Sequence, residues 1–398
     1  MRRAVLVLIV ASILVPAVPA SATAACGPPR WQIVPTPNDG DGDNDLRGVT
    51  ALSATDAWAV GSRWDDVADH VIPLTAHWDG AEWRLVPTPA VGEAGGLMAV
   101  HGSESDRVWA AGFFSTSDGQ VAKALLQRWT GTAWDAVDVP APAPGPDVTE
   151  VLLDVLALPA GDGWAVGRWA LVTDGIYSPL ILRRNGQEWT VVEGPSFETW
   201  SELMAVSATG PDDVWFVGDT EVEVEEENAL VERGLIMHWD GHGFTTYEAP
   251  FNRRHPLNPF GLEDVVAISE TDAWAVGSIQ RASGRMTTLT LHWDGVKWSR
   301  VTAPQPSDTE QALASVTALS SDHVWTVGSF EHDRSGEFRT LVLRWNGERW
   351  RVMSSANRRT GGDLYEVTAV EDWRFAVGAA WSHRLRAYRT LGLERCTA

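Results

Sequence analysis

The stretch LRGVTALSATDAWAVGSRWDDVADHVIPLTAHWDGAEWRLVPTP, residues 46 to 89, is one complete copy of a unit that recurs along this chain of 398 residues. Four short runs within it, LRGVTALS, AWAVGS, PLTAHW and EWRLVP, have the length and composition of β-strands. Turn-forming residues separate the runs, and such short links favour antiparallel pairing of consecutive strands. The unit therefore predicts a four-stranded antiparallel sheet.

The phrase WAVG in the second run recurs at spacings of 50 to 59 residues, headed by six tryptophans and one phenylalanine. A repeat of this period, built from strands without amphipathic helices, is typical of a β-propeller in which each unit forms one blade. We therefore predict an all-β, seven-bladed β-propeller of four-stranded antiparallel blades. The seven headings are Trp58, Trp109, Trp164, Trp215, Trp274, Trp325 and Phe375.

The two ends of the repeat region are incomplete in complementary ways. Trp31 lies in WQIVPTP, which matches the outer strand RLVPTP but precedes any complete unit. The last unit ends at TLGLERCTA, where its hairpin turn should begin. We therefore expect the N-terminal strand to complete the last blade and close the ring. The approximate blades are 46–89, 97–140, 152–195, 203–250, 262–304, 313–355 and 364–396 together with 26–37.

The only two cysteines, Cys26 and Cys396, both fall at the position of this missing hairpin turn. A disulfide there would stand in for the absent covalent turn, and an exported protein can keep one. The alternative, a lipidated Cys26, lacks the usual leucine three residues before it and leaves Cys396 without a partner. The sequence therefore predicts a disulfide between Cys26 and Cys396.

Residues 1–24 have the layout of a cleavable secretory signal, with two arginines, an apolar run and a small-residue end at Ala22-Thr23-Ala24. We expect residues 25–398 to form one propeller, since 44% of the side chains are hydrophobic and suffice for a packed core. No later apolar run is long enough to cross a bilayer. The mature chain is therefore expected to be secreted, soluble and monomeric.

The net charge narrows the choice of partners. Residues 1–24 contain Arg2 and Arg3 and no acid, so their removal changes the formal charge from −22 to −24. Nucleic acids and anionic membranes need clustered lysine and arginine, so this balance disfavours both as partners.

The phrase HWDG, at 77–80, 238–241 and 292–295, raises the question of a repeated metal or catalytic site. Other units replace Asp-Gly by Asn-Gly or Thr-Gly, which predicts a two-residue hairpin turn with positive φ at both central residues. The histidine position holds arginine in three units, and arginine cannot replace imidazole on a metal. We therefore predict a long polar side chain on a sheet face. Its members are His77, Arg128, Arg183, His238, His292, Arg344 and Glu394.

Seventeen of the 22 tryptophans fall in three columns of the repeat, at WAVG, after the His or Arg position, and in the outer strand. Large flat rings that recur in register are expected to fill the layers between blades. These tryptophans are therefore predicted to be core residues.

The combination L-x-x-V, GWAVG at 163–167 and a DG-x-x-W hairpin resembles the repeats of photosystem II stability/assembly factor-like propellers. It is more distantly similar to BNR or Asp-box propellers and to kelch propellers. The Asp-box pattern S-x-D-x-G-x-x-W is not met, and the paired glycines of kelch repeats are missing after WAV. The resemblance implies a propeller fold over nearly all of the mature chain and no particular active residues, because such folds host unrelated activities.

A binding site is most readily sought among tryptophans outside the three columns. Four of them are predicted in second-to-third-strand and fourth-to-first-strand links, which open on one side of the ring, here called the loop face. Exposed aromatic rings there suit stacking on sugars or anchoring a protein, although they could instead cap the blade cores. The four are Trp64, Trp169, Trp200 and Trp381.

The same face is predicted to carry FNRRHPLNPF, residues 251–260. Arg253, Arg254 and His255 stand out in an acidic protein and could hold a carboxylate or an acidic sugar, while the alternative is a solvated loop.

Two sets of carboxylates are further candidates. Asp39, Asp41, Asp43 and Asp45 alternate as in a calcium loop, but Asn44 and Thr50 occupy the positions of the usual glycine and bidentate glutamate. No cofactor is expected, and calcium is left as an alternative to a flexible acidic link. In the channel-lining first strands, three carboxylates could bind a cation or serve acid-base chemistry, or they could reflect crowding near the axis. They are Asp154, Asp264 and Glu366.

From these features we expect an exported, non-catalytic propeller that binds a glycan or a protein through the loop face. One alternative is a glycan hydrolase or lyase at the central channel, although no nucleophile and base pair can be recognised by spacing. Another is an assembly factor or chaperone for a different exported protein, which the photosystem-factor resemblance implies.

Overall fold

The computed structural model describes residues 30–116, 121–145, 147–173, 175–250 and 256–396, so the predicted signal segment, residues 1–24, lies outside the described residues. Within these ranges the chain forms 28 β-strands in seven four-stranded antiparallel sheets, with only two single-turn 3₁₀ helices, Pro159–Gly161 and Glu225–Glu227. The inner strands of consecutive sheets pack side by side around a central channel. The prediction of a seven-bladed β-propeller is confirmed. In this described part, no helix has the length and apolar character needed to cross a bilayer.

In blades 1 to 6 the strands follow the chain from the inner to the outer position, and in blade 7 the outer strand is the N-terminal β1. Blades 1 and 2 contain β2 (Asn44–Ser53), β3 (Asp56–Asp65), β4 (His70–Trp78), β5 (Trp83–Leu85), β6 (Gly95–Glu104), β7 (Arg107–Ser115), β8 (Ala122–Trp129) and β9 (Trp134–Val137). Blades 3 and 4 contain β10 (Val148–Ala157), β11 (Gly163–Leu171), β12 (Ser178–Asn185), β13 (Glu188–Val191), β14 (Ser201–Gly210), β15 (Asp213–Val224), β16 (Ala229–Trp239) and β17 (Phe244–Glu248). Blades 5 and 6 contain β18 (Phe260–Ser269), β19 (Asp272–Gln280), β20 (Met286–Trp293), β21 (Trp298–Arg300), β22 (Gln311–Ser320), β23 (His323–Glu331), β24 (Phe338–Trp345) and β25 (Trp350–Val352). Blade 7 contains β26 (Asp363–Val370), β27 (Trp373–Ser382), β28 (Ala387–Cys396) and β1 (Gln32–Val34).

The ring is closed by β1, which pairs antiparallel with β28 so that Gln32 faces Glu394 and Val34 faces Gly392. The side chains continue the junction, because Gln32 Nε2 donates to Glu394 Oε1 at 3.1 Å. The predicted completion of the last blade by the N-terminal strand is confirmed. Cys26 lies outside the described residues, whereas Cys396 is buried at the end of β28 opposite Trp373. The disulfide stays a prediction.

The tryptophan columns form the core between blades. The six WAVG tryptophans are at most 6% exposed, and each lies where one blade packs against the next. Trp58 of blade 1, for example, contacts the outer-strand Trp134 of blade 2 edge to face, with ring centroids 5.1 Å apart. On its own blade, His77 lies over the same indole at 4.4 Å. The His or Arg column therefore covers the core tryptophans, as a polar sheet-face position would.

The Asp-Gly turns differ from the prediction. In blade 1, Trp78 pairs with Trp83, which leaves a four-residue loop rather than a two-residue one. Only Gly80 has a positive φ, of 91°, and Asp79 does not. The Asp79 carboxylate instead accepts hydrogen bonds from the backbone N–H groups of Ala81 and Glu82, both at 3.0 Å. The aspartate recurs because its side chain satisfies the turn backbone, not because it tolerates a left-handed conformation.

Candidate functional site

The tryptophans predicted for the loop face lie near it, but three of them belong to strands. Trp64, Trp169 and Trp381 are in β3, β11 and β27, because these hairpins keep pairing beyond the WAVG phrase. Trp64 faces Val71 in β4. Trp200 does lie in a fourth-to-first-strand link, where its carbonyl accepts the Glu221 N–H at 2.9 Å. The predicted placement of Trp64, Trp169 and Trp381 in second-to-third-strand loops was therefore wrong, and all four tryptophans are partly buried.

Two of these tryptophans meet a common neighbour at the seam between blades 1 and 7. Tyr388, 44% exposed, packs edge to face on Trp381 with ring centroids 5.1 Å apart. Tyr388 also lines, with Trp64, a cavity of about 400 Å³ that includes Arg47 and Arg63. Trp169 instead packs against the apolar cluster between blades 2 and 3. The four tryptophans are therefore spread over several blades rather than joined in one cluster.

The acidic run before β2 is held by donors of the protein itself. Asp39 pairs with Arg63 at 2.9 Å, Asp43 accepts the Tyr388 N–H at 2.7 Å, and Asp45 accepts the Ser62 hydroxyl at 2.7 Å. These carboxylates point to separate partners instead of converging. Across the described ranges no group of three or more His, Cys, Asp or Glu side chains is arranged to hold a metal ion.

A groove with a volume of about 870 Å³ lies at the loop-face end of blade 4. It arises because β15 and β16, of 12 and 11 residues, are the longest described strands and extend beyond the outer strand of their blade. The acidic run 221–228, which the repeat spacing alone marks as an insertion, supplies the end of this hairpin. We refer to this cavity as the blade 4 groove.

The blade 4 groove combines apolar walls with an acidic rim. Its apolar lining comes from the link before the blade, the hairpin, the outer strand and the start of blade 5, in Phe197, Val222, Val224, Tyr247, Pro256 and Phe260. Its acidic lining is Glu198, Glu221, Glu223, Glu225, Glu226 and Glu248. None of the first five forms an ion pair with a cation of the described chain. The one arginine that lines the groove, Arg233, is 6% exposed and donates to the backbone carbonyl of Asn258 at 3.1 Å.

The predicted cations Arg253, Arg254 and His255 lie outside the described residues. They belong to the link between Ala249 and Pro256, both of which line the blade 4 groove.

The channel carboxylates act as braces between blades. The Asp154 carboxylate accepts the N–H of Val206 in the next blade at 2.8 Å, and that of Asp264 accepts the N–H of Val316 at 2.7 Å. Glu366 differs, since its Oε1 accepts the Ser315 hydroxyl at 2.7 Å. These positions directly follow a β-bulge that interrupts every first strand one residue after its leucine, as between Leu152 and Asp154. The bulge turns the side chain toward the neighbouring blade.

Such braces occur at six of the seven blade junctions, with the acceptor at one of two positions in the first strand. The backbone N–H groups and their side-chain acceptors are Ala157 to His101, Val206 to Asp154, Ala267 to Ser207, Val316 to Asp264, Val367 to Ser315, and Ala51 to Thr368. The junction of blades 1 and 2 has a glycine instead. A Cβ on Gly48 would lie 2.9 Å from the Cα of Ala99, so the two strands approach each other backbone to backbone.

Burial dominates the acid-base behaviour of the channel. It raises the pKa of Asp154 to about 8 and that of Asp264 to about 6, and it raises the pKa of Glu366 well above its ordinary range. Repulsion among the three carboxyl groups adds to the shift of Asp154 and Glu366, while backbone N–H donors oppose it. The carboxyls are thus near one another, but their oxygens already serve as hydrogen-bond acceptors for the ring.

Comparisons with known proteins find similarity in the fold and not in the sequence. No protein-family model matches the chain, and no curated protein matches its sequence. A solved structure of YCF48 bound to D1 peptide is 12% identical with a TM-score of 0.57, covering 94% of this chain and 99% of that chain. YCF48 from Cyanidioschyzon merolae is 16% identical with a TM-score of 0.54, covering 92% and 98%. An ulvan lyase bound to a glycan of GlcA and Rha3S is 9% identical with a TM-score of 0.55, covering 85% and 91%.

The predicted similarity to photosystem II assembly factor-like propellers is thus confirmed at the level of the fold. The structural neighbours include one propeller that binds a peptide and one that binds a glycan. At these identities the likeness shows architecture alone.

Proposed function

We propose that this chain is an exported, non-catalytic binding propeller that holds an extended, positively charged segment of another exported or cell-surface protein in the blade 4 groove. The observation that carries the proposal is the groove itself, which joins a large apolar floor to an acidic rim on the predicted loop face. An assembly factor or chaperone for an exported client is one form that this function can take.

The size and walls of the groove suit an extended polypeptide. Its volume of about 870 Å³ is in the range of ligand-binding clefts. The projecting part of the hairpin, from Thr220 to Val224, spans about 16 Å at the usual rise of a strand, which is the length of roughly five extended residues. Val222 is 37% exposed and offers an apolar contact without any rearrangement.

The negative charge of the groove's rim favours a positively charged partner. Five glutamates without an ion pair to a described cation repel one another, so a lysine- or arginine-containing segment relieves that repulsion as it binds. The attraction is greatest at low ionic strength, since exposed charges are screened over about 10 Å at 0.1 M salt.

A glycan hydrolase or lyase at the central channel is less well supported. Asp154 and Asp264 each accept two backbone N–H groups, and Glu366 accepts the Ser315 hydroxyl. Carboxyl groups held by these hydrogen bonds are poorly placed to act as an acid, a base or a nucleophile on a substrate.

The test uses fluorescent decapeptides of equal hydrophobicity, rich in arginine and lysine or in glutamate, titrated with the purified mature chain. We expect only the basic peptides to bind, and the affinity to fall by about tenfold or more in Glu223→Lys/Glu226→Lys, which corresponds to about 1.4 kcal/mol. The matched control is Glu188→Lys/Glu193→Lys, which makes the same charge change on exposed residues of blade 3 outside the groove. Equal affinity in the two double variants would place binding elsewhere, and failure of every peptide to bind would reject the function.

Glycan binding at the seam of blades 1 and 7 is a second candidate, favoured by the cavity that Trp64 and Tyr388 line beside two arginines. Aromatic rings suit stacking on sugars, whereas the two arginines already pair with carboxylates of the chain, Arg47 with Asp45 and Arg63 with Asp39. A glycan and cell-wall polysaccharide array, probed with the mature chain and with Trp64→Ala, tests it. Binding that survives in Trp64→Ala, or no binding at all, would contradict this candidate.

A further inference from the structure

The face opposite the loop face contains a cavity of about 290 Å³ between blades 2 and 3, lined by three arginines in a protein whose formal charge is −22. Arg107 and Arg128 come from the second and third strands of blade 2, and Arg184 comes from the third strand of blade 3. The guanidinium groups of Arg128 and Arg184 lie 6.0 and 5.2 Å from the indole centroid of Trp109. We refer to this cavity as the arginine pocket.

Two of these arginines, Arg107 and Arg128, stand at positions that hold a different pair of residues in three other blades. In blades 1, 4 and 5 the same two positions hold a histidine and an aspartate that are hydrogen bonded to each other. The pairs are His77 with Asp56 at 2.8 Å, His238 with Asp213 at 2.6 Å, and His292 with Asp272 at 2.9 Å.

In blade 2, the histidine is replaced by Arg128 and the aspartate by Arg107. Two cations therefore occupy a place where the fold elsewhere accommodates a base and an acid. Of the seven blades only blade 2 has arginine at both positions, so packing of the tryptophan column does not require them.

The charge of the arginine pocket is poorly neutralised by the chain. Within the described ranges no carboxylate lies at ion-pair distance from Arg128 or Arg184, and Arg107 pairs with Glu104 at 3.1 Å on the surface. Burial lowers the pKa of Arg184, and the neighbouring Arg128 and Arg107 lower it further, while Asp162 opposes them. Asp162 already has another hydrogen-bond partner, since its Oδ1 accepts the Gly186 N–H at 3.1 Å.

The arginine pocket also holds polar atoms without a hydrogen-bond partner among the described residues. Arg184 donates from its terminal nitrogens to the carbonyls of Gly161 and Gln187, but its buried Nε has no acceptor. The Ser103 hydroxyl, which lines the same cavity, is buried without a partner as well.

We propose that the arginine pocket binds a tetrahedral oxyanion, a sulfate or phosphate group, with Arg107, Arg128 and Arg184 as its cationic donors and Trp109 as its apolar wall. Guanidinium groups match the oxygens of such an anion in geometry and charge. The volume suits one such group rather than a polymer, so a larger ligand would enter by its sulfate or phosphate ester. This site is separate from the proposed function, because it lies on the opposite face of the ring.

Isothermal titration calorimetry of the mature chain with inorganic phosphate, sulfate and acetate at low ionic strength tests the proposal. We expect one site for phosphate or sulfate and no comparable heat with acetate. In Arg107→Asp/Arg128→His, which installs the pair that blades 1, 4 and 5 already contain, the affinity is expected to fall by about tenfold or more, as for loss of charge-assisted hydrogen bonds. Arg128→Gln, at an exposed side chain, provides a second variant with the same expected loss.

The matched control is Arg349→Asp/Arg351→His, which makes the same replacements at two exposed arginines of blade 6. Binding of sulfate or phosphate that is unchanged in this control and lost in the blade 2 variants supports the site. Absence of binding to the unaltered chain, a preference for acetate, or equal affinity in both double variants overturns it.

Discussion

The carboxylate of Asp154 in blade 3 accepts the backbone N–H of Val206 in blade 4 at 2.8 Å. Three blades further on, the hydroxyl of Ser315 accepts the N–H of Val367 at 3.2 Å from the equivalent position. A hydroxyl and a carboxylate therefore perform the same bracing role in this ring. The negative charge of Asp154 is not needed for the bond, and its burial costs free energy.

Replacement of Asp154 by serine should change how stability depends on pH. Burial raises the pKa of Asp154 to about 8 and that of Asp264 to about 6, so the folded chain holds protons that the unfolded chain releases at lower pH. The free energy of unfolding should therefore fall as pH rises from about 4 to about 8. Asp154→Ser removes one such group and should flatten the decline by up to about 1.4 kcal/mol per pH unit.

Urea unfolding of the unaltered protein and of Asp154→Ser across this pH range measures the effect. Curves that run parallel would show that Asp154 is ionised in the folded ring throughout. Ala99→Ser, at the equivalent position of blade 2, is the control, because it adds a hydroxyl without removing a charge.

The core tryptophans should differ from the loop-face tryptophans in their contribution to stability. Trp274 is 1% exposed and contacts Trp345 and Trp350 of the next blade, so Trp274→Ala should lower the free energy of unfolding by about 3–5 kcal/mol. Trp64 is partly exposed, so Trp64→Ala should lower the free energy of unfolding by clearly less than this. Denaturant midpoints with unchanged m-values measure both, and an equal cost would identify Trp64 as a cap of the blade core rather than a binding residue.

Removal of β1 should open the ring. A chain that starts at residue 38 leaves the outer edge of β28 uncovered, and uncovered edges pair with other chains. We expect a lower unfolding temperature and concentration-dependent association, measured by size-exclusion chromatography with light scattering. A chain that starts at residue 30 keeps β1 and serves as the control. A monomeric, equally stable 38–398 chain would mean that blade 7 does not depend on its fourth strand.

The predicted disulfide can be tested independently of the strand. Proteolysis without reduction should release one peptide pair that joins Cys26 to Cys396. Cys26→Ser/Cys396→Ser should lose about 2–5 kcal/mol of stability, a range typical of native disulfides in exported proteins. Alkylation of both thiols in the unreduced protein would contradict the pairing.

The sequence predicted the strands, the tryptophan columns and the closure of the ring. The WAVG tryptophans, the His or Arg column and the incomplete ends follow one register, so alignment of the units with the complete unit 46–89 was enough to assign strands, core and closure. The repeat reveals these features because every blade packs against its neighbours in the same way, so the same residue types recur at the same positions.

Polar contacts and cavities formed by two blades were not predicted, because their residues are far apart in sequence. The brace from Asp154 to Val206 and the blade 4 groove both depend on how neighbouring sheets are placed. The turn at Asp79 was misjudged because an Asp-Gly pair fits both a two-residue turn and a longer loop capped by the carboxylate. Arg107 and Arg128 did leave a signal, since two columns that hold a hydrogen-bonded pair elsewhere change together in blade 2.

The pairing of β1 with β28 also determines the order in which the molecule can fold. Gln32 and Glu394 are 362 residues apart, so this contact has almost the greatest sequence separation that the chain allows. During synthesis the first strand emerges long before its partner, so we expect the early blades to stack into an open arc. Closure is therefore a late event of high contact order, which predicts slow maturation and a long-lived arc whose free edges need protection from other chains.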